Sequence, residues 1–473
     1  MRILALQSSR MVKAIQSFSN WRGACVTAGA HPLMTVFFLA LLVRLINIAL
    51  LKGNDSFFAE ADTFLYWELG AGLANPATFW STLLSETDRM PLFPLLLAGV
   101  QSTLGNVPRA VAVIQAAVDA GTCTLVALLG ALVSPVVGLV AGVLAALSIT
   151  LIVFSTQVLT DTVFLFFFTL MLLAGARFLL RPSNGLALLA GLAGGFALAT
   201  RPAIALLLAG AVPLVVVIAM VHSRRVLPAL TAAMLFAVAA AAPVAPLLLR
   251  NVVQYGTINL TAQTGQHLAF WIVPLVTQRA DGTPYQTSVD RMQALYQQRL
   301  AERGLSAETN PFRLAAIRTE VAREEMARLP LAAYAKAWLE GMAVNLGAPA
   351  LLGDPRVRAL PKPSFYNTPG TSLWQRARAY VFDDPGLYQV LLIAGLIGML
   401  PFLALEAIGL VMLARMLPWA AIFAGGVLAY FLLLNGPVAT AKYRLPMEPV
   451  LIVLAAIPLA RLVERHCRIP ATG

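Results

Sequence analysis

Residues 32–51 read PLMTVFFLALLVRLINIALL, and this stretch decides the fold class of the chain. About 20 mainly apolar residues are enough for a helix that crosses a bilayer. An acidic stretch follows directly, with the carboxylates Asp55, Glu60, Asp62 and Glu68. Carboxylates at a membrane surface cost free energy and repel one another. We therefore expect this stretch to have a function, either as a general base or as a metal site.

The whole chain has the composition of a polytopic membrane protein. Of its 473 residues, 59% are hydrophobic and 12% are charged, and the mean hydropathy is +0.78. Soluble domains carry about a quarter charged residues. The net charge is +12, but the basic residues are scattered through short loops without an RNA-binding motif or zinc-finger spacing. The charge is therefore expected to set membrane topology and not to bind nucleic acid.

Cysteine and histidine indicate neither a disulfide framework nor a dedicated zinc site. Cys25, Cys123 and Cys467 all fall outside the long loop described below, and the four histidines form no HExxH-like pair. We therefore predict no cofactor and no metal ligands, while the acidic stretch leaves a divalent metal open as an alternative.

Ten segments are apolar and of about the length that a membrane span needs. They are Pro32–Leu51, Pro108–Leu132, Val136–Phe154, Thr160–Leu180, Gly185–Ala199, Pro202–Val221, Leu227–Leu249, Leu387–Leu413, Leu417–Leu434 and Pro446–Ala460. The shorter segment Pro91–Leu104 begins at a proline and predicts an interfacial or half-membrane helix. The sequence therefore predicts an all-α polytopic membrane protein of about ten transmembrane helices with interfacial helices.

The basic residues give this bundle an orientation. If the N-terminus lies inside, ten spans return the C-terminus to the same side, and the inner loops and tail are basic, which is the positive-inside pattern. We divide the chain into a cytoplasmic leader (1–31), an N-terminal transmembrane module (32–249) whose first outer loop is 52–90, an extracytoplasmic region (250–386), and C-terminal transmembrane helices with a basic cytoplasmic tail (387–473).

The extracytoplasmic region is too long to be a simple connector. Two helices are predicted in it, over Pro311–Leu329 and Leu331–Leu346. In the second helix Tyr334, Trp338 and Met342 recur every four residues. Such a stripe suits a helix that lies on the membrane or packs over the spans, and it equally suits an ordinary amphipathic core helix.

The same topology collects unusual polar residues on the outer side, which indicates one shared outer cavity. They are Asp62, Asp88, Arg89, Asp161, Arg201, Arg250, Lys442 and Arg444. Asp62 is either a general base that takes a proton from an incoming hydroxyl or the N-cap of a helix over Thr63–Leu73. Arg89 lies beside a proline-opened apolar helix. It either grips a phosphate bidentately at headgroup level or simply snorkels to the interface.

Further charges mark the ends of later spans. Asp161 begins a span, where it either caps the helix or faces the cavity. Arg201 precedes a span, Arg250 ends one, and Lys442 and Arg444 come just before the last one. Separated cations on one face suit an anionic, lipid-linked ligand, although cations at a membrane surface also contact lipid phosphates generically.

Two charges inside predicted spans are expected to pair. At about 1.5 Å per residue, Arg44 and Asp119 both come near the middle of the membrane, where an unpaired charge is costly. Glu406 lies in a later span and has no predicted partner. Gly138 and Gly142 are attributed to helix packing.

Six short motifs follow one another along most of the chain. They are Asp62-Thr63-Phe64-Leu65-Tyr66-Trp67, Arg89-Met90-Pro91-Leu92-Phe93-Pro94, Leu159-Thr160-Asp161, Thr200-Arg201-Pro202, Arg250-Asn251-Val252-Val253-Gln254-Tyr255-Gly256 and Tyr443-Arg444-Leu445-Pro446. In this order and spacing they resemble the GT-C-type integral membrane glycosyltransferases. Within that type, the likeness is to the dolichyl-phosphate-mannose–protein mannosyltransferase-like group, which includes the bacterial lipid A aminoarabinose transferases.

This resemblance implies that a sugar passes, with inversion, from a polyprenyl-phosphate donor in the lipid bilayer to an acceptor lipid, glycan or protein. It implies that Asp62 is the catalytic carboxylate of the first loop, that Asp161 is the acid at the start of a later span, and that Arg89 meets the donor phosphate. Further donor-phosphate candidates are Arg201, Arg250, Arg444 and Lys442. The first loop reads Glu-Ala-Asp and lacks an adjacent acidic pair, which departs from the family and argues against a metal.

Two other functions are considered beside this one. A lipid-linked sugar transporter or flippase should show inverted halves and interrupted spans around a mid-membrane site, and neither is found. An oligosaccharide ligase-type transferase should carry a large outer loop rich in Arg and His, whereas this loop has arginines but a single histidine, His267. We expect the protein in the plasma membrane, by its size and short loops the bacterial inner membrane, with the active site facing the periplasm or exterior.

Overall fold

The structure, a computed structural model, describes residues 32–59, 61–362, 364, 367–368, 370, 372–383 and 386–467. The expected cytoplasmic leader, Glu60 of the acidic stretch and Arg468 of the basic tail lie outside these residues. The described part of the chain is built from helices and contains no β-strand. The predicted all-α polytopic class is confirmed.

The helices follow one another with short connections. They are α1 (Pro32–Leu50), α2 (Ala61–Ala74), α3 (Phe79–Ser85), α4 (Leu92–Leu104), α5 (Pro108–Ala131), α6 (Pro135–Leu147), α7 (Ile149–Ser155), α8 (Asp161–Leu180), α9 (Asn184–Thr200), α10 (Ala205–Ser223), α11 (Val226–Ala241), α12 (Ala245–Tyr255), α13 (Thr264–His267), α14 (Val273–Ala280), α15 (Tyr285–Glu302), α16 (Pro311–Arg328), α17 (Leu331–Gly347), α18 (Pro355–Arg358), α19 (Leu373–Phe382), α20 (Leu387–Met416), α21 (Pro418–Asn435) and α22 (Glu448–Cys467). Short 3₁₀ segments lie at Asn54–Phe57, Pro202–Ile204, Ala242–Val244, Ala350–Gly353 and Ala441–Met447, and a π-turn lies at Leu268–Ile272.

Eight helical segments among the described residues are long and apolar enough to cross a membrane. They are Pro32–Leu50, Pro108–Ala131, Asp161–Leu180, Pro202–Ser223, Val226–Tyr255, Leu387–Met416, Pro418–Asn435 and Ala441–Arg465. A ninth is formed if α6 and α7, which meet at a bend of 48°, are taken as one broken span. The bend occurs at Ser148, whose hydroxyl caps α7 by accepting from the Leu151 backbone N–H at 3.4 Å. A serine N-cap starts a new helix and so explains the break in the predicted span Val136–Phe154.

The one remaining predicted segment, Gly185–Ala199, is the helix α9, which is shorter than the other spans. It packs between α8 and α11. At Gly191 an added Cβ would lie 2.3 Å from the carbonyl oxygen of Phe236, so only glycine allows the two backbones to come this close. Small residues permit such close helix contacts where lipid gives no hydrophobic drive.

The predicted packing role of two glycines in α6 is confirmed. A Cβ at Gly138 would lie 2.8 Å from the Ala127 carbonyl oxygen, and one at Gly142 would lie 2.7 Å from the Val36 side chain. Both distances are too short for a methyl group. Glycine at these two positions therefore lets α6 pack closely against α5 and α1.

The predicted pairing of Arg44 with Asp119 is also confirmed. The Nε atom of Arg44 donates to Asp119 Oδ2 at 2.7 Å, and both side chains are buried. The guanidinium also donates to the carbonyl oxygens of Ala145 (3.1 Å) and Ala146. These carbonyls lie in the last turn of α6, where carbonyl groups lack their usual partners four residues further on, and the Ala145 carbonyl also accepts from the Ser148 N–H at 3.3 Å. The pair therefore stabilises the end of a broken helix inside the bundle.

The two helices predicted between residues 250 and 386 are found as α16 and α17. The helix α17 packs over the spans, as one of the two interpretations predicted. Its Trp338 donates from Nε1 to the Leu433 carbonyl oxygen at 3.0 Å, and Asn345 donates from Nδ2 to the Val438 carbonyl oxygen at 3.0 Å. The long segment is therefore anchored to the end of α21 and to the turn that precedes the last span.

Candidate active site

Asp62 lies in the first turn of α2, the short helix that follows the first span. The helix packs against α4, and a Cβ at Gly70 would lie 2.7 Å from the Leu97 side chain. The carboxylate of Asp62 accepts a hydrogen bond through Oδ1 from Arg89 Nη2 at 2.7 Å, and 45% of the side chain is exposed. Asp62 is therefore the second residue of the helix and not its N-cap. Its carboxylate binds an arginine and still reaches solvent.

Arg89 approaches Asp62 from the turn between α3 and α4. Its guanidinium lies over the Tyr66 ring, 5.6 Å from the ring centroid, and only 16% of its side chain is exposed. Its Nε atom is buried and has no hydrogen-bond partner in the described part of the chain. A buried charged donor without a partner costs free energy. Arg89 thus retains capacity to bind an anion in addition to Asp62.

A second acid–arginine pair lies nearby. Asp161 is the first residue of α8, and Arg201 follows α9 directly. The Arg201 Nη1 atom donates to Asp161 Oδ1, and the guanidinium lies over the Phe164 ring at 5.7 Å. The Asp161 side chain is 3% exposed, whereas that of Arg201 is 21% exposed. The acid is therefore neutralised by the arginine, and the arginine is the more accessible member of the pair.

Tyr66 joins the two pairs into one site. Its phenol interacts electrostatically with Asp62, Arg89, Asp161 and Arg201. Burial raises the pKa of the Tyr66 phenol above its ordinary range, although the two arginines act to lower that pKa. The hydroxyl therefore remains neutral at physiological pH. No role was predicted for Tyr66, although its position four residues after Asp62 places both side chains on one helix face.

The turn before the last span brings Tyr443 to the same place. Its hydroxyl interacts electrostatically with the Arg201 guanidinium. Lys442 is the neighbouring residue and is half-buried in the same 3₁₀ turn, Ala441–Met447. We call the end of the bundle that carries these residues and the two ion pairs the Asp62 face.

Arg444 points away from this site, into the bundle. Its Nε atom donates to Glu448 Oε1 at 2.7 Å, and its Nη2 atom donates to Glu406 Oε1. All three side chains are buried. Glu406, for which no partner was predicted, therefore shares Arg444 with Glu448. The guanidinium already faces two carboxylates, so we leave Arg444 out of the donor-phosphate set proposed below.

Arg250 is also engaged by the protein. Its Nη1 atom donates to the carbonyl oxygens of Leu83 (2.8 Å) and Glu86 (2.5 Å). Its Nε and Nη2 atoms donate to Asn251 Oδ1 at 2.9 Å and 2.7 Å. Arg250 thus contacts the backbone of residues 83–86, which leads to Arg89, and among the described residues no hydrogen bond or ion pair joins it to Asp62 or Asp161.

The described residues contain no group of three or more His, Cys, Asp and Glu side chains placed to hold a metal ion. At the Asp62 face the two best-placed acids, Asp62 and Asp161, are each bound to an arginine instead. The chemistry that this arrangement supports is proton transfer to an exposed carboxylate beside cations that bind an anion.

These features define a class, a polytopic all-α membrane protein with an acid-and-arginine site at one end of its spans. Residues 88–249 match the family model described as dolichyl-phosphate-mannose-protein mannosyltransferase, so this part of the chain is similar to that family. This match supports a membrane glycosyltransferase of the GT-C type, as the resemblance indicated. No curated protein matches the chain. The matched region contains Arg89, Asp161 and Arg201 but ends before Arg250.

Proposed function

We propose that the protein transfers a sugar, with inversion, from a polyprenyl-phosphate-linked donor to an acceptor hydroxyl or phosphate. The acceptor is a lipid, a glycan or a protein. The observation that carries the proposal is the half-exposed carboxylate of Asp62, held 2.7 Å from the Arg89 guanidinium at the end of the membrane spans. At that position a donor keeps its lipid tail in the bilayer while its phosphate meets the cations.

Binding of the donor exchanges the partner of Arg89. The donor phosphate competes with Asp62 for the guanidinium, because two parallel N–H donors match two phosphate oxygens. Arg201, the more exposed member of the second pair, is the next cation in reach, and Lys442 is the third candidate. The donor phosphate thus takes the place of the Asp62 carboxylate, which binds Arg89 when no donor is present.

The released Asp62 then acts as the general base. It accepts the proton of the acceptor hydroxyl while the acceptor oxygen attacks the anomeric carbon from the side opposite the phosphate. The bond between that carbon and the phosphate oxygen breaks, and the polyprenyl phosphate leaves with the bonding electrons. The arginines stabilise the negative charge that develops on the leaving phosphate. Attack from the opposite side gives inversion at the anomeric carbon.

Asp161 has a supporting role in this mechanism. Its carboxylate is almost fully buried against Arg201, so it is not placed to receive a proton from an acceptor. It instead fixes the position and charge of Arg201. The site faces the extracytoplasmic side of the plasma membrane, which is the bacterial inner membrane in our proposal, because the basic loops lie at the opposite end of the spans.

The decisive experiment is transfer by the purified protein from radiolabelled polyprenyl-phosphate sugars to membrane-lipid, glycan and protein acceptors. We expect Asp62→Asn to lower turnover by about 10²-fold or more, because the amide keeps the shape but cannot accept the proton. Glu68→Gln, an exposed acid on the same helix, is the matched control and should keep full activity. Unchanged turnover of Asp62→Asn would exclude Asp62 as the base.

Two further arms test the remaining elements of the proposal. Movement of the labelled lipid across proteoliposomes without a glycosidic product would indicate a transporter instead. For the orientation, cysteine replacing exposed Glu68 should react with a membrane-impermeant reagent from outside spheroplasts, whereas cysteine replacing exposed Arg224 should not. Labelling of position 224 and not position 68 would reverse the proposed topology.

A further inference from the structure

The backbone that carries Arg89 is held from behind by α12. Arg250, in the middle of α12, donates to the carbonyl oxygens of Leu83 and Glu86. Leu83 lies in the last turn of α3, where carbonyl oxygens have no partner within the helix. Arg250 therefore both caps α3 and fixes the point where the chain turns towards Arg89.

Glu86 fixes the turn itself. Its Oε1 atom accepts from the backbone N–H groups of Asp88 and Arg89, each at 2.7 Å. A carboxylate that accepts two backbone N–H bonds closes the turn tightly, because charge-assisted hydrogen bonds are the strong ones. The direction in which the Arg89 side chain leaves the backbone is thereby set.

The segment after α12 completes this arrangement. Asn251 is fully buried, and its Nδ2 atom donates to the carbonyl oxygens of Asn259 (2.7 Å) and Leu260 (3.3 Å). Two residues further on, the Ala262 N–H donates to the Thr87 carbonyl oxygen at 2.9 Å. The path therefore runs from α12 through residues 257–262 back to the turn that holds Arg89.

We propose that Arg250, Glu86 and Asn251 are positioning residues that act on the donor phosphate only through Arg89. All three nitrogen atoms of the Arg250 guanidinium are used in bonds to the carbonyl oxygens of Leu83 and Glu86 and to Asn251 Oδ1. This arrangement assigns Arg250 a role different from the direct phosphate contact predicted from sequence. The inference rests on the proposed function, in which Arg89 binds the donor phosphate.

A double-mutant cycle between Arg250 and Arg89 tests the proposal. We expect Arg250→Ala to lower kcat/KM for the donor by about 10-fold or more in the wild-type background, since small misplacements of a binding group are costly. In the Arg89→Ala background the same change should cost less than about 2-fold, because coupled residues are not additive. Equal losses in both backgrounds would overturn the proposal and restore a direct phosphate contact.

A second measurement does not depend on transfer activity. In hydrogen–deuterium exchange, Arg250→Ala and Glu86→Gln should both raise the exchange of the amides of residues 86–90, and Gln254→Ala, an exposed position on α12, should not. Arg250→Lys should restore part of the protection, because lysine can donate to one of the two carbonyls. Unchanged exchange in both variants would refute the positioning role, even if no donor were found. Altered exchange without transfer from any polyprenyl-phosphate sugar would refute the proposed function alone.

Discussion

Arg89 donates to Asp62 across 2.7 Å, so the cation that we propose for the donor phosphate is bound to the acid that we propose as the base. In the protein without donor, the Asp62 carboxylate occupies the Nη2 atom of Arg89, and the guanidinium occupies Oδ1 of Asp62. In the proposed mechanism, the donor phosphate binds the Arg89 guanidinium and thereby frees the Asp62 carboxylate. In the proposed mechanism, donor binding therefore frees Asp62 Oδ1 at the moment when the sugar is in place.

This exchange predicts how substitutions of Arg89 behave. Arg89→Ala should raise the KM for the donor and lower kcat/KM by about 10²-fold, as expected for the loss of a group that stabilises developing charge. The kcat/KM of Arg89→Lys should lie between those of the wild type and Arg89→Ala, since lysine keeps the charge but loses the bidentate geometry. Initial rates over a range of donor concentrations measure both effects. A donor dependence that is unchanged in Arg89→Ala would exclude this arginine from donor binding.

The second ion pair predicts a loss of stability. Asp161 is 3% exposed, so Asp161→Asn leaves the Arg201 guanidinium without its counter-charge. Removing one partner of a buried pair costs about 3–5 kcal/mol. We expect a marked fall in the thermal unfolding midpoint of the detergent-solubilised protein. Asp62→Asn is the comparison, because the Asp62 side chain is 45% exposed and should change the midpoint little. Equal midpoints for the two variants would contradict the structural role of Asp161.

His267 predicts a dependence of stability on pH. Burial lowers the pKa of this imidazole below its ordinary value of 6.5, because the charged form is poorly solvated in the fold. The folded protein therefore holds a neutral imidazole, while the unfolded chain takes up a proton near pH 6.5. The contribution is present above that pH and is lost as the pH falls through the lower pKa of the folded state. Unfolding midpoints should thus decline on acidification.

The variant His267→Gln isolates this effect, since glutamine does not titrate. Its unfolding midpoint should decline less than that of the wild type between neutral and mildly acidic pH. His222→Gln is the control, because His222 is exposed at the other end of the bundle. An identical acid response of wild type and His267→Gln would mean that other groups dominate.

The fold and the pairing of Arg44 with Asp119 could be predicted because both follow from one-dimensional patterns. Apolar length gives the spans, and depth along a span places the two charges at the same level. The break at Ser148 was not predicted, since the apolar pattern continues through it. The partner of Glu406, Arg444, was also missed, because the two residues are far apart in sequence. The spacing of four residues between Arg444 and Glu448 could have indicated only that second pair.

Individual roles at the site could be predicted only in part. Topology brought Asp62, Arg89, Asp161 and Arg201 to one end of the bundle, and the structure places them around Tyr66. The predicted topology did not indicate which way any of these side chains points. Whether an arginine near a span end faces a ligand or a backbone carbonyl depends on the packing of distant segments, as the contact of Arg250 with Leu83 shows.

The mid-membrane pair predicts an asymmetric response to exchange. Asp119→Asn should destabilise the protein, because Arg44 keeps its carbonyl partners but loses its counter-charge. From the sequence alone, one would expect the exchanged residues, Arg44→Asp with Asp119→Arg, to form the same ion pair. In the structure an aspartate at position 44 would face the carbonyl oxygens of Ala145 and Ala146, so we expect no rescue. Unfolding midpoints of the singles and the exchange measure this, and full rescue would show that the carbonyl contacts contribute little.

Arg444 provides the test that separates a structural role from donor binding. If it stabilises the bundle, Arg444→Met leaves Glu406 and Glu448 without their shared cation, and the unfolding midpoint should fall sharply. Adding Glu406→Gln to Arg444→Met should then recover part of the loss, since one uncompensated carboxylate is removed. A direct donor contact predicts the opposite pattern, with Arg444→Lys raising the donor KM at unchanged stability. The unfolding midpoint and the donor KM should both be measured on Arg444→Met, on Arg444→Met with Glu406→Gln, and on Arg444→Lys. The structural role requires that Glu406→Gln changes the unfolding midpoint and not the donor KM.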